Sequence, residues 1–229
     1  MLYMLIYAKQ PVQYIIKNYP NKIKSLYLAK DIDKKEYSKL MKMDFEIKRI
    51  PQEAAQKMSK NANHQGFLAE VDDYKLHSFN SFLDKEFVLV LSSLTDVGNI
   101  GAIVRSAYAL GVDAIVACGV KNLALEPILR TSTGALFDMP FAIEQNIHNV
   151  LNDLKTSGFC VYGADMGGKD IRDIEFKQKR VLVLGSEGEG LTSRVVSKLD
   201  EVVSIKMSHE FDSLNVSVAG AILMDRMRR

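Results

Sequence analysis

Cysteine is scarce in this chain: Cys118 and Cys160 are the only two among 229 residues. They stand 42 positions apart in apolar, strand-like runs, and there is no C-x-x-C pair. A disulfide scaffold and a zinc knuckle are therefore unavailable, and two buried reduced thiols are expected. The four histidines, His64, His77, His148 and His209, have no metal-ligand spacing, and no G-x-S-x-G elbow occurs. Metal and hydrolase chemistry thus lack a sequence basis. The apolar runs fall well short of the roughly 18 residues that span a bilayer, so no membrane association is expected. Met1 to Tyr7 has neither a basic n-region nor a small-residue cleavage site, which argues against a secretory signal and for a cytoplasmic protein. Internal repeats and low-complexity segments are also missing.

Hydrophobic content of 47% and charged content of 25% are ordinary for a globular chain. The length suits one large domain or two modest ones. The net charge of +2 conceals an asymmetry. Residues 1–75 hold 14 Lys/Arg against 9 Asp/Glu, whereas residues 76–229 hold 16 against 19. A basic front module suits a polyanion such as nucleic acid, because neutralising phosphates releases counterions. A solvated lysine-rich surface would give the same count.

Taken in order, Ile6–Gln10 reads as a strand leading into a helix with Pro11 near its first turn, where a missing N–H costs nothing. Strands are expected at Lys24–Leu28, Phe45–Ile50 and Phe67–Val71, and helices at Lys34–Met43 and Pro51–Lys60. This is a compact α/β module over residues 1–75. A polar linker is expected over residues 76–85. Beyond it, Phe87–Leu91, Ala114–Cys118, Phe159–Gly163 and Val181–Gly185 are continuous apolar runs of the kind buried on both faces of a sheet. Helices Ile100–Leu110 and His148–Thr156 are each followed by a glycine, Gly111 and Gly158. The alternation predicts a parallel, doubly wound sheet over residues 86–229.

Ligands of such sheets bind beyond the carboxyl ends of the strands. Three polar loops fall there. The first runs from Leu94 to Arg105, with Asn99 near a helix start and Arg105 six residues on, read as lying on nearly the same side. The second, Gly185-Ser186-Glu187-Gly188-Glu189-Gly190, permits close backbone approach. Its glycine order is not that of the dinucleotide fingerprint, and its carboxylates oppose a pyrophosphate. The third is Ile205 to Ser217, where Ser213 and Asn215 lie beside apolar Ile205, Met207 and Leu214. That mix suits a neutral, partly aromatic ligand. Gly163–Asp170 has phosphate-loop spacing, but Asp170 replaces the Mg²⁺-binding hydroxyl, so it is read as a loop. The small-residue helix after Asn215 is too apolar for a loose terminus and must pack closely.

Together the three loops resemble the three motifs of the SpoU (TrmH-like) branch of the SPOUT RNA methyltransferases. Asp96 to Arg105 is similar to Asp-x-x-Asn-x-Gly-Ala-Ile-x-Arg, Gly185 to Gly190 to Gly-Ser-Glu-x-x-Gly, and Ser213 to Ser217 to Ser-Leu-Asn-Val-Ser. Thr131-Ser132-Thr133-Gly134-Ala135 falls where that family has a Ser-x-Gly-Ala turn. The front module, with His64-Gln65-Gly66, resembles the ribosomal-protein-like substrate domain of RlmB-type members.

The resemblance implies an α/β fold with a C-terminal trefoil knot. It also implies a small N-terminal α/β RNA-binding domain and a homodimer. It implies S-adenosylmethionine as cofactor, held by Gly185, Ser186, Gly190, Ile205, Met207, Leu214, Thr133 and Gly134. Asn99, Arg105, Glu187, Ser213 and Asn215 would form the catalytic constellation, and Ala219, Gly220 and Ala221 would permit close helix approach at a dimer interface. The implied reaction is methylation of a ribose 2′-hydroxyl, with a guanosine of ribosomal RNA favoured by the basic front module. A transfer-RNA guanosine and a non-catalytic RNA-binding or ribosome-assembly role are the alternatives. Lys206 stands where the family usually has Pro, and His209 where it often has Gly.

Overall fold

The computed structural model describes residues 3–186, 188–209 and 213–228. In chain order the elements begin with β1 (Tyr3–Tyr7), α1 (Lys9–Asn18), β2 (Ile23–Leu28), α2 (Lys34–Leu40), β3 (Glu46–Arg49), α3 (Gln52–Met58) and β4 (Phe67–Asp72). There follow β5 (Phe87–Ser92), α4 (Val97–Ala109), β6 (Ala114–Cys118), α5 (Leu125–Thr131), β7 (Phe141–Glu144) and α6 (Ile147–Thr156). The chain continues through β8 (Cys160–Asp170), β9 (Arg180–Leu184), α7 (Ser193–Val196), β10 (Glu201–Ser204) and α8 (Val216–Met227). It divides into two compact units: residues 1–75 with 125–137, and residues 76–124 with 138–229.

The first unit is a four-stranded sheet of order β1-β4-β2-β3, antiparallel except for the β2–β3 pair. Alternation dictates its faces: Met4 and Ile6 of β1 are buried, while Tyr3 is exposed. Helix α1 presents Val12, Ile15 and Ile16 to the core at helical spacing, with Pro11 in its first turn. Asp33 caps α2 by accepting from the amides of Lys35 and Glu36. Helix α5 packs against β1 in this unit, an element that the local pattern around Pro127 did not announce.

The second unit is a six-stranded, wholly parallel sheet of order β10-β8-β9-β5-β6-β7. Strands β5, β6 and β9 are buried along their whole length, as their uninterrupted apolar runs require. Strand order reverses between β5 and β9, so their carboxyl ends form a topological switch point. Gly111 and Gly158 follow α4 and α6 with φ of +77° and +87°, the left-handed closure in which a Cβ is disfavoured. Residues His77–Lys85, expected as polar linker, contain a 3₁₀ turn at Phe79–Phe82. Its two phenylalanines meet edge-on at 6.4 Å and are buried in the core.

One expectation is corrected. Gly163–Asp170 is no loop: β8 runs on to Asp170, pairing Gly163 with Val202 and then Lys169 with Val203. The five intervening residues bulge from the ladder. A Cβ on Gly168 would lie 2.6 Å from the Val202 backbone, so the glycine read as a loop marker serves close strand approach. Strands β7 and β10, outside the expected apolar runs, are four-residue edge strands. Gly220 of α8 turns toward β9, where a Cβ would stand 2.8 Å from Leu184. Its small size therefore serves packing within the chain.

The carboxyl end of α8 is clamped. Arg180, 5% exposed at the start of β9, donates from Nε to the Met227 carbonyl at 2.8 Å and from a terminal nitrogen to the Gln178 carbonyl at 2.7 Å. Its guanidinium lies 4.4 Å from the Phe87 ring centroid.

Candidate functional site

Strands β8, β9 and β10 are neighbours in the second unit, and the chain emerging from the carboxyl ends of β9 and β10 turns into one cavity of about 600 Å³. After β9, Gly185 leads a loop that folds back so that the Gly190 amide donates to the Ser186 carbonyl at 3.0 Å. Gly188 and Gly190 take φ of +87° and +66°. A Cβ on Gly185 would sit 2.3 Å from the carbonyl carbon of Gly190, so only glycine allows the two backbone segments to cross. Gly185, Ser186 and Gly190 line the cavity, and so do Ile205 and Met207 beyond β10.

The remaining wall belongs to the start of α8. Ser213, Leu214 and Asn215 line the cavity, joined by Ala219 and Leu223 of the helix. Asn215 caps α8: its Oδ1 accepts from the Ser217 amide at 2.9 Å and from the Ser217 hydroxyl at 2.6 Å. Its Nδ2 donates to Asn99 Oδ1 at 2.9 Å. The Asn99 amide in turn donates to the cap of α4, Asp96, at 2.7 Å. The amino ends of two helices are thereby tied through their first turns. Helices α4 and α8 also pack on each other.

Sequence reasoning missed one wall. Ala164, Asp165 and Met166, in the β8 bulge, also line the cavity, and Met166 is exposed. The signal was present in the glycine-rich Gly163–Gly168 run, but its phosphate-loop spacing drew attention elsewhere. The phosphate reading fails physically as well. Asp170 makes a two-pronged pair with Arg172, through Nε and a terminal nitrogen, and caps the following turn. The Arg172 side chain holds the Asp170 carboxyl down to about 2, aided by the charge of Lys206. Lys169 pairs with Glu201.

The cavity's electrostatics are one-sided. Asp165 and Glu189 line it, and no cationic side chain does among the described residues. Its floor is apolar, from Leu184, Val203, Ile205, Leu214 and Leu223, with neutral hydroxyls at Ser186, Ser204 and Ser213. Such a site disfavours phosphate and accepts a flat, largely apolar ligand carrying positive charge.

Other predicted residues lie elsewhere. Arg105 is exposed on α4 and does not line the cavity. Six steps of about 100° leave it roughly 120° around the helix from Asn99, which corrects the expectation that they share a side. Thr133 and Gly134 belong to the first unit, with φ of +59° and +94°; a Cβ on Gly134 would meet the Tyr14 ring at 2.5 Å. Neither lines the cavity. Lys206 and His209 are exposed and also outside its lining. Glu187 lies outside the described residues.

Comparison with known proteins adds to this geometry. Residues 86–225 match the model of the SpoU rRNA Methylase family, and residues 5–77 match that of RNA 2′-O ribose methyltransferase substrate binding. A Staphylococcus epidermidis protein described as a TrmH family tRNA/rRNA methyltransferase is 34% identical over 178 residues, covering 74% of this chain and 72% of the relative. A Borreliella burgdorferi protein described as a tRNA/rRNA methyltransferase is 32% identical over 221 residues, covering 89% of this chain and 96% of its own. The solved structure of the SpoU methyltransferase AviRb from Streptomyces viridochromogenes, in complex with the cofactor AdoMet, aligns with a TM-score of 0.79 at 22% identity. That alignment covers 98% of this chain and 89% of that one. At such identity the likeness is one of fold.

Proposed function

The chain belongs to the SpoU rRNA methylase family and is an RNA methyltransferase, and from that premise we propose that it methylates the ribose 2′-hydroxyl of a guanosine in large-subunit ribosomal RNA. The observation that carries the reading is the cavity beside β8, β9 and β10, one wall of which is Asn215, itself bonded to Asn99. Its fit to S-adenosylmethionine rests on three properties. The volume of about 600 Å³ lies within the range of about 300–1,000 Å³ usual for small-ligand sites. The apolar floor suits an adenine, and the bare backbone at Gly185 and Gly190 supplies polar groups at close range. The carboxylates of Asp165 and Glu189, with no opposing cation among the described lining residues, favour a sulfonium over a phosphate.

Gly185, Ser186, Gly190, Ile205, Met207 and Leu214 would hold the cofactor, which supplies an electrophilic methyl group when bound. The chain's own work is to position the hydroxyl and stabilise the charge it develops. Asn99 and Asn215, each fixed by a helix cap, orient the mouth. Arg105 offers donors and no acceptor, so it is not read as the base. It acts by stabilising the developing alkoxide while pairing with an adjacent RNA phosphate. The hydroxyl proton then passes to that phosphate or to water. Glu187 and Ser213 complete the constellation in this reading, and Thr133 and Gly134, outside the cavity lining, are left out of the cofactor set. The segment from Ile205 onward is read as the family's trefoil knot, supported by the return of α8 onto α4 and β9.

The basic residues 1–75 form the substrate-binding module in this reading and residues 86–229 the catalytic module, with the connection at 76–85 packed into the second unit's core through Phe79 and Phe82. Exposed Val218 and Ile222 on α8 and Tyr108 on α4 supply an apolar face for a second copy. Calorimetry with S-adenosylmethionine tests the enzyme reading: absence of binding would leave a non-catalytic RNA-binding role. Mapping 2′-O-methyl marks lost from ribosomal and transfer RNA in a deletion strain tests the substrate. A mark lost from transfer RNA alone would overturn the ribosomal assignment.

A further inference from the structure

The first unit holds a separate cavity of about 430 Å³ that the proposed reaction does not use. Lys30, Gln52, Gln56, Asn61, Asn63 and His64 are among its lining residues, and no carboxylate is, among the described residues. The loop beside it is held in an uncommon shape. Lys60, Asn61 and Gln65 take φ of +52°, +63° and +53°, and Gly66 takes +81°. Non-glycine residues persist there only when their surroundings over-determine them.

Those surroundings are visible. The Ser59 hydroxyl donates to the carbonyls of Gln56 and Ala62. Gln65 Oε1 accepts from the Lys9 amide at 3.0 Å. His64, 2% exposed, accepts the Gly66 amide on Nδ1 at 3.1 Å. The neutral ring then carries its proton on Nε2, which stands 3.4 Å from the Gln52 carboxamide. A Cβ on Gly66 would lie 2.4 Å from Lys30 Cγ, so the bare glycine lets the lysine stem cross the loop. Its Nζ stands 5.7 Å from the Phe67 ring centroid. The carboxamides of Gln56 and Asn61 make no hydrogen bond among the described residues and remain available to the cavity.

We propose that this cavity takes the base of an unpaired RNA nucleotide. Gln56 and Asn61 read its edge, and Lys30 meets the neighbouring phosphate. Carboxamides carry a donor and an acceptor side by side, the pattern that a base edge presents. Sequence-specific RNA recognition is concentrated on splayed, unpaired bases. Lys30 is the cation of the described lining, which holds no carboxylate, and this suits one phosphate. The inference rests on the reading that the substrate is RNA.

The test is fluorescence anisotropy of the full chain with short single-stranded oligoribonucleotides of one base each, against an abasic ribose–phosphate strand. At least one base-bearing strand should bind about tenfold tighter than the abasic strand. Asn61→Asp, which tolerates the left-handed conformation, and Gln56→Glu should erase that preference and leave abasic binding measurable. Lys30→Gln should weaken both kinds of strand alike. Equal binding of abasic and base-bearing strands by the unsubstituted chain overturns the proposal, and so does a preference that survives both carboxamide substitutions. Calorimetry with S-adenosylmethionine on the same samples reports on the catalytic cavity alone, so failure there bears on the proposed reaction while the base preference is decided separately.

Discussion

Asn215 and Asn99, 116 residues apart, share a 2.9 Å hydrogen bond that joins the first turns of α8 and α4. Asn215 also caps its own helix, so the two roles need separating. Asn215→Ser keeps a capping oxygen but is too short to reach Asn99. We expect it to leave α8 formed and to cost about 1 kcal/mol, with weaker S-adenosylmethionine binding. Asn99→Ala should then cost less in the Asn215→Ser background than alone. A double-mutant cycle by chemical denaturation reads this coupling, and zero coupling would mean the bond contributes nothing.

Gly185→Ala places a methyl group against the Gly190 backbone, where neither segment can yield cheaply. The expected loss is about 1–3 kcal/mol, seen as a Tm several degrees lower, together with loss of cofactor binding. Gly188→Ala is the control. Its φ of +87° makes alanine strained, but nothing lies within 4 Å of the added carbon. It should cost about 1 kcal/mol and retain binding. Equal effects of the two would show that crossing backbones do not shape the cavity.

Arg105 tests the chemistry and not the cofactor site, because it lies outside the cavity lining. Arg105→Lys keeps the charge and loses the planar fork. We expect kcat to fall by about a hundredfold with cofactor affinity unchanged. Near-full activity would show that two-pronged contact is unnecessary.

The strands of the second sheet were legible because burial on both faces demands continuous apolar runs, as at Phe87–Leu91 and Val181–Leu184. Gly111 and Gly158 were legible because a left-handed helix closure nearly requires glycine. The three polar loops were found one by one, and eight predicted residues of the second and third line one cavity. What pairs with what was not legible. The Asn99–Asn215 bond depends on two helices brought together by the whole sheet. The bulge holding Ala164–Met166 depends on the register of β8 against β10. Helix α5 was missed because its stability lies in packing on β1, not in local pattern.

Burial, reinforced by the Glu144 carboxylate, pushes the Cys118 thiol from its ordinary 9.0 up to about 12. Folding therefore favours the protonated thiol. That stabilisation is fully present below pH 9 and is lost as pH rises toward 12. Iodoacetamide at pH 8 should modify half-buried Cys160 and spare Cys118 until the protein unfolds. Equal labelling, read by peptide mass spectrometry, would mean that β6 opens in the native state.

Truncation after Ser208 tests the C-terminal segment as a whole. It removes Leu223, Met224 and Met227, each no more than 2% exposed, and burial of such side chains is worth about 1.5–3 kcal/mol apiece. The sum rivals the about 5–15 kcal/mol of a typical fold. It also strips buried Arg180 of the Met227 carbonyl and removes Leu214 and Asn215 from the cavity wall. The truncated chain should therefore lose both S-adenosylmethionine binding and a soluble dimer. Arg180→Met in the full-length chain separates the effects, since it frees the end of α8 without touching the cavity. It should lower Tm while leaving calorimetric affinity within about twofold, because a helix end is worth a few kcal/mol at most. A truncated dimer that stays soluble and binds the cofactor would refute the knotted reading of this segment, since a knot cannot persist once the threaded segment is gone.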